Sequence, residues 1–400
     1  MKIAIIGSRG MGANYGGIEK VLSEICPRLV GHGHEVHVYG EAINGLPNTT
    51  IIDGVKIIRV GCIPGKYTET LTRTCFSLAR AIFKDYDVIN LVAMGPGMFS
   101  PVPRLMRKPT LVSIHGLDGK RDKWPWFAKA MLQSAERMIS VSSHEITVVS
   151  QQLKTYFSKV YGRDVVHIPN GLNVRDEPAD TLMLDQLDLK PNEYVLFASR
   201  LVGEKGAHEL IEAFREIDTS KTLVIAGGAR YDRNYVESLY RAAGKSDRIK
   251  FTGHVTGPLL DALFAGAYLY VLPSHMEGLS LSLLEAVGYG KACLVSDIPE
   301  NLEVIGDYGF TFPVGDVGAM RDSLQQLLDD ENLVADMAAA VRGHAARQYA
   351  WDNLALQYSD IYEALGRRRT IFGRPRVPHH PLRGNGMDGG HDISRLPDSA

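Results

Sequence analysis

Residues 273–297 read PSHMEGLSLSLLEAVGYGKACLVSD and set two carboxylates, Glu277 and Glu285, eight positions apart. The apolar run Ala267 to Leu272 just before them predicts a buried strand, and Ser280 to Tyr289 predicts the helix that follows. Glu277 then lies in the strand-to-helix turn and Glu285 interrupts the apolar residues Leu283, Leu284, Ala286 and Val287. A carboxylate in such company needs hydrogen-bond donors if it is buried, and a vicinal diol supplies two. Gly278, Leu279 and Ser280 would present backbone N–H groups at a helix N-terminus, which suits phosphate or polarised hydroxyl groups. An acidic first turn on a surface helix would account equally well for these residues taken alone.

Working outward, the same rhythm of strand, ligand-type turn and helix recurs along the chain. Lys2 to Ile6 runs into GSRGMGANYGG and a helical pattern from Ile18 to Val30, so Gly16 and Gly17 stand at a helix N-terminus where backbone can approach a ligand. The glycines do not fall as GxGxxG, and no ribose-binding acid follows the next strand, which argues against a dinucleotide site. Thr110 to Ile114 reads as a strand ending in His115, followed by Asp118, Arg121 and Trp124 within HGLDGKRDKWPWF, a group suited to an anionic or amphipathic second substrate. Met138 to Val141 reads as a strand, Ser143 to Tyr156 as a helix, and Val165 to Ile168 as a strand ending in Pro169-Asn170-Gly171. Asp85-Tyr86-Asp87 precedes a strand instead of following one, so it reads as a solvated turn and not as a metal-diphosphate motif.

The second half restarts with Tyr194 to Ala198 and the turn SRLVGEKG, where Arg200 and Lys205 bracket a strand end. A guanidinium fork and an ammonium there would clamp a diphosphate. Thr222 to Ala226 ends in Gly227-Gly228. The predicted class is α/β, with two Rossmann-like doubly wound domains facing a cleft: 1–171, a linker 172–192, 193–350, a C-terminal helix 351–365 packing back toward the first domain, and a disordered Arg/Pro/Gly-rich tail 366–400.

Composition narrows the function. Forty-four lysines and arginines stand against 46 acids, so the whole chain has no bias toward nucleic acid, and only local patches can meet a membrane. Four cysteines without CxxC spacing suggest reduced thiols, not a zinc site or disulfide frame. The N-terminal apolar run is too short for a signal peptide and no segment reaches membrane-spanning length, so the expected location is cytoplasmic, with the Arg-rich tail a candidate for peripheral contact with the inner membrane face.

Taken together, Gly16-Gly17, His115, Pro169-Asn170-Gly171, Arg200 with Lys205, and Glu277 with Glu285 resemble the motifs of a GT-B glycosyltransferase of the large retaining family four, over roughly residues 1 to 365. GSRGMGANYGGIEKVL and HGLDGKRDKW look more narrowly like bacterial rhamnosyltransferase-type enzymes of capsule, O-antigen or exopolysaccharide assembly. The resemblance implies a nucleoside-diphosphate sugar as co-substrate, no metal, and an oligosaccharide or lipid-linked acceptor. It gives Arg200 and Lys205 the donor diphosphate, Glu285 the ribose hydroxyls, Glu277 the sugar hydroxyls, and Gly278, Leu279 and Ser280 the sugar or distal phosphate. Gly17 would allow close approach to the diphosphate, Gly16, Asn170 and Gly227 would complete the donor site, and His115 would contact the sugar near the reacting carbon. Asp118, Arg121 and Trp124 fall on the acceptor side. A GT-B nucleotide-sugar epimerase or phosphorylase, or a non-catalytic nucleotide-sugar-binding scaffold, would share the cleft.

Overall fold

Eight strands form the N-terminal sheet: β1 (Lys2–Ile6), β2 (Glu35–Glu41), β3 (Thr49–Ile52), β4 (Val55–Val60), β5 (Val88–Val92), β6 (Thr110–Ile114), β7 (Glu145–Val148) and β8 (Val166–His167). Their order is β3-β4-β2-β1-β5-β6-β7-β8, parallel throughout except for the β3–β4 hairpin. The computed structural model describes residues 1–11, 16–41, 47–65, 68–117, 126–175, 181–229 and 232–367, without the side chains of 126–130. The helices of this half are α1 (Gly17–Gly31), α2 (Thr68–Ala81), α3 (Met94–Gly97), α4 (Pro101–Leu105), α5 (Trp126–Ser142) and α6 (Gln151–Tyr161).

The second sheet holds β9 (Tyr194–Ala198), β10 (Thr222–Ala226), β11 (Ile249–Gly253), β12 (Leu269–Leu272), β13 (Ala292–Ser296) and β14 (Phe310–Phe312). Its order is β11-β10-β9-β12-β13-β14, all parallel. Around it stand α7 (Ala207–Arg215), α8 (Arg233–Ala243), α9 (Pro258–Gly266), α10 (Leu281–Gly288), α11 (Pro299–Ile305), α12 (Val317–Asp329) and α13 (Glu331–Gln348), and α14 (Trp351–Arg367) closes the described chain. No helix among the described residues is long and apolar enough to cross a membrane.

Strand alternation explains the layering. Ile3 and Ile5 of β1 pack with Val21, Leu22 and Ile25 of α1 and with Trp351, Leu354 and Tyr358 of α14. Ala4 and Ile6 face the other way, toward Leu78 of α2, Leu132 and Ile139 of α5, and Phe157 of α6. Strands covered on both faces must be apolar throughout, and β5, β9 and β12 are buried at every position.

The chain crosses between the halves twice, at Leu172 and Ala350, which form a parallel bridge with Leu172 N–H donating to Tyr349 O (2.8 Å). After the second crossing α14 lies on the first sheet, where Asn90 Nδ2 donates to Tyr362 Oη (2.8 Å) and His34 Nε2 meets Ser359 Oγ (2.7 Å).

One stretch departs from the expected elements. Met138 to Val141 is the last turn of α5, and the strand comes later, within the predicted helix Ser143 to Tyr156. A cluster of branched residues disguised the helix, whose buried positions Leu132, Ala135, Glu136, Ile139 and Ser140 keep helical spacing. The buried Glu145 at the head of β7 interrupted the apolar signal of the true strand. In Asp85-Tyr86-Asp87, Tyr86 is buried against His37 and Tyr39, and Asp87 accepts the Lys2 N–H at 2.8 Å.

The crossing is tightly built, because a Cβ at Gly171 would lie 2.4 Å from Cδ2 of the buried Trp351. Gly171→Ala is therefore expected to cost about 1–3 kcal/mol through overpacking. Chemical denaturation checks this, and an unchanged midpoint would mean that the tryptophan steps aside freely.

Candidate functional site

In each sheet the strand order reverses beside the first strand, so β1 lies between β2 and β5 and β9 between β10 and β12. Ligands of open parallel sheets gather outside the carboxyl ends at such a switch point. The carboxyl end of β9 carries Ser199 and Arg200, and that of β12 carries Pro273 and Ser274. Neighbouring strands thus deliver the cationic turn and the Glu277 turn side by side. Gly206 follows one turn, and His275 N–H donates to Glu204 O (2.9 Å) to tie the two together.

Within that pair of turns, Lys205 Nζ donates to Glu277 Oε1 at 2.5 Å, with only 8 % and 7 % of the two side chains exposed. Ser274 Oγ donates to the same oxygen at 2.8 Å. Arg200 remains about half exposed, 3.6 Å from Glu204 Oε1. The two cations differ in consequence: one is buried in an ion pair, and the other projects into open space.

That space is a pocket of about 160 Å³ lined by Gly16, Arg200, Gly227, His254, Ser282 and Glu285, with an apolar wall of Val255, Leu260 and Phe264. Gly227 has φ +153°, and a Cβ there would fall 1.9 Å from Ser199 O, so no side chain fits at this corner. Glu285 keeps 28 % exposure and faces Lys20 of α1, whose Nζ lies 3.5 Å from Glu285 Oε1 and 3.4 Å from Glu24 Oε1. Burial pushes the Glu285 pKa above the ordinary carboxylate value; Lys20 works against that rise and Asp261 of α9 adds to it.

The turn at 278–280 is where the halves meet. A Cβ on Gly278 would lie 2.0 Å from the His115 carbonyl oxygen, and one on Gly17 would lie 3.1 Å from Leu281 Cδ1. Asn170 Nδ2 donates to Leu279 O (2.8 Å), so its amide is committed to the backbone of this turn, while its Oδ1 is buried without a hydrogen-bond partner. Ser280 caps α10 by accepting from Leu283 N–H. The sequence-level expectation of a diol as partner for Glu285 did not anticipate Lys20, whose only local sign is its place one turn beyond Gly16-Gly17. Asp118, Arg121 and Trp124 lie outside the described residues, as does the tail beyond Arg367. Among the described residues no three His, Cys, Asp or Glu side chains are placed to hold a metal.

Both halves match known family models: residues 15–176 that of "Glycosyltransferase Family 4", and residues 183–344 that of "Glycosyl transferases group 1". The chain is a glycosyltransferase of the GT-B fold. An uncharacterized glycosyltransferase of Methanocaldococcus jannaschii is 26 % identical over 388 residues, covering 91 % of this chain and 98 % of that one. The phosphatidyl-myo-inositol mannosyltransferase of Mycobacterium leprae is 25 % identical over 370 residues, covering 88 % and 93 %. Among solved structures, Anabaena HepE in complex with UDP-glucose superposes with a TM-score of 0.76 at 20 % identity, covering 91 % of this chain and all (100 %) of that one.

Two outcomes follow for this glycosyltransferase. Lys205→Met leaves Glu277 buried without its cation and is expected to cost about 3–5 kcal/mol, whereas Lys205→Met with Glu277→Gln recovers much of that loss. Denaturation of the three variants checks the coupling, and purely additive losses would show the two groups to be independent. The second concerns Glu285. A carboxyl whose folded pKa is raised favours folding below its unfolded value near 4.5 and loses that contribution as pH rises through the folded value. Glu285→Gln should therefore melt higher than the wild type at neutral pH, with the gap closing on acidification; an equal or lower melting temperature at pH 7 would contradict it.

Proposed function

We propose that this enzyme transfers a sugar, with retention of anomeric configuration, from a nucleoside-diphosphate sugar to a hydroxyl of a growing, lipid-linked oligosaccharide of a bacterial surface or exopolysaccharide. The observation that carries the reading is the convergence of Arg200, Gly227 and Glu285 on one pocket, with the Lys205–Glu277 pair in the adjoining turn. Breaking the anomeric bond drives negative charge onto the departing diphosphate, so preorganised cations matter more than a strong base. Arg200 and Lys205 take that charge, and the amides of Gly278, Leu279 and Ser280 add donors at the N-terminus of α10. Glu285 accepts the ribose hydroxyls, with Gly16, Gly17 and Gly227 letting backbone close on the diphosphate. Both bonds to Glu277 fall on Oε1, which leaves Oε2 for a hydroxyl of the transferred sugar.

In the transfer, the acceptor oxygen attacks the anomeric carbon from the face that the diphosphate leaves. Its proton passes to the departing phosphate oxygen, so no protein nucleophile is consumed. His115, whose carbonyl abuts Gly278, is assigned to the sugar near the reacting carbon, and Asp118, Arg121 and Trp124 are assigned to the acceptor. The resemblance of GSRGMGANYGGIEKVL and HGLDGKRDKW to bacterial rhamnosyltransferase-type enzymes points to rhamnose as the sugar. A lipid-linked acceptor gains support from the M. leprae relative, whose name places its own acceptor on a lipid. Charges aimed into a pocket would serve no purpose in a scaffold.

Thermal shift with UDP, GDP and dTDP tests the donor assignment, since a ligand at about 100 times its dissociation constant stabilises by about 2.7 kcal/mol. Arg200→Ala should then lower turnover by roughly 10²-fold or more, the loss usual for one charge-stabilising donor. Wild-type turnover in that variant would remove Arg200 from the diphosphate site.

A further inference from the structure

We propose that the outer face of α2, α4 and α5 on the N-terminal half is a docking surface for an anionic lipid bilayer. Phe83, just beyond α2, is 83 % exposed, Leu105 in α4 is 82 %, and Val141 in α5 is 72 %. Phe76, Met106, Met131 and Met138 are exposed beside them. On α5 the positions Met131, Met138 and Val141 follow helical spacing along the side turned away from the buried Leu132, Ala135 and Ile139. Isolated exposed apolar residues need no explanation, but a contiguous set marks an interaction site.

These helices are joined into one surface. Arg104 Nη1 donates to Ser142 O (3.1 Å) and Ser100 Oγ meets Ser142 Oγ (2.5 Å), linking α4 to α5. Lys108 Nζ donates to Lys84 O (3.0 Å), linking the exits of α4 and α2. Phe83 and Leu105 stand in the lead-ins to β5 and β6, which are neighbours in the sheet.

Charge selects the occupant. Residues 68–163 carry fourteen lysines and arginines against seven acids, in a chain that is otherwise acidic, with 44 against 46 overall. Three of the seven acids, Glu69, Glu136 and Glu145, are buried, whereas Arg80, Lys84, Arg107 and Arg137 are exposed. Asp85 is the exposed acid among the described residues 68–114 and 131–143. Exposed apolar side chains interleaved with cations fit the headgroup region of an anionic bilayer, where the apolar groups insert and the cations meet phosphates. Phe83 precedes β5, Leu105 and Met106 precede β6, and Met138 and Val141 precede β7, so the face gathers at the amino edge of the sheet, away from the cleft.

The test is sedimentation of the full chain with vesicles of phosphatidylcholine alone or mixed with phosphatidylglycerol. Binding should require the anionic lipid and weaken with salt. Arg80→Glu with Lys84→Glu and Arg137→Glu should weaken it roughly a hundredfold, at about fivefold per cation, and Phe83→Ser with Leu105→Ser should weaken it at high salt. Both variants must keep the wild-type melting temperature, and Arg233→Glu with Arg241→Glu and Lys245→Glu on the other half should leave binding intact. Absence of vesicle binding by the wild type would overturn the proposal, as would equal loss in the control triple. So would loss on truncation after Gly366 with both face variants still bound, which would assign binding to the tail. Retention of an acidic protein but not of vesicles would assign the face to a protein partner. The measurement involves no turnover, so its failure would leave the transfer reaction untouched.

Discussion

The ion pair between Lys205 and Glu277 joins the turns that leave β9 and β12, and the geometry of the proposed donor site depends on it. Desolvating two charges is expensive, and such a pair contributes little net stability compared with apolar residues of the same volume. Its value is positional. Lys205 is the buried residue of a three-residue turn, Gly203–Lys205, and the carboxylate with Ser274 behind it holds the ammonium. Because β9 and β12 are adjacent at the point of strand reversal, the turns that leave them lie side by side and bring these groups into contact.

The second constraint lies between the halves. Lys20 on α1 reaches Glu285 on α10, and the same α1 face continues through Glu24 to Arg28, which pairs with Asp352 of α14 at 2.7 Å. Asn173, just past the first chain crossing, donates to Glu24 as well. The carboxylate proposed for the ribose is thus wired to the helix that begins at Gly17 and to both chain crossings. Any rotation of one half against the other changes the distance between Lys20 and Glu285, and with it how much of that carboxylate is free to accept hydroxyls.

Much of this was legible in the residues. Strands buried on both faces, such as β9 and β12, read as short apolar runs, and the turns at their carboxyl ends stood out because charge follows directly on apolar sequence. Glu285 was visible for the same reason. Lys20 was not, because a lysine one turn into an amphipathic helix looks like any solvated cation, and its partner is 265 positions away in sequence. The resemblance alone assigns Asn170 to the donor site, and the bond from its Nδ2 to Leu279 O is a backbone contact that no local pattern signals. The misplacement of β7 has a related cause: the buried Glu145 and the polar Thr147 broke the apolar run, and Thr147 Oγ1 finds its acceptor in Ser113 of β6.

A buried lysine held by a carboxylate also bears on how the proposed reaction begins. A diphosphate approaching Arg200 meets an exposed guanidinium first, so initial attraction falls on the cation that pays little desolvation. Lys205 is already dry, and its interaction with phosphate in that low-dielectric corner is strong at close range. Since Glu277 neutralises it beforehand, the buried charge carries no large penalty before the donor arrives. As negative charge grows on the leaving diphosphate, Lys205 has more to gain from the phosphate than from Glu277 alone, so its stabilisation is weighted toward the transition state. An unpaired lysine would instead bind the resting diphosphate more tightly and spend the same charge on the ground state.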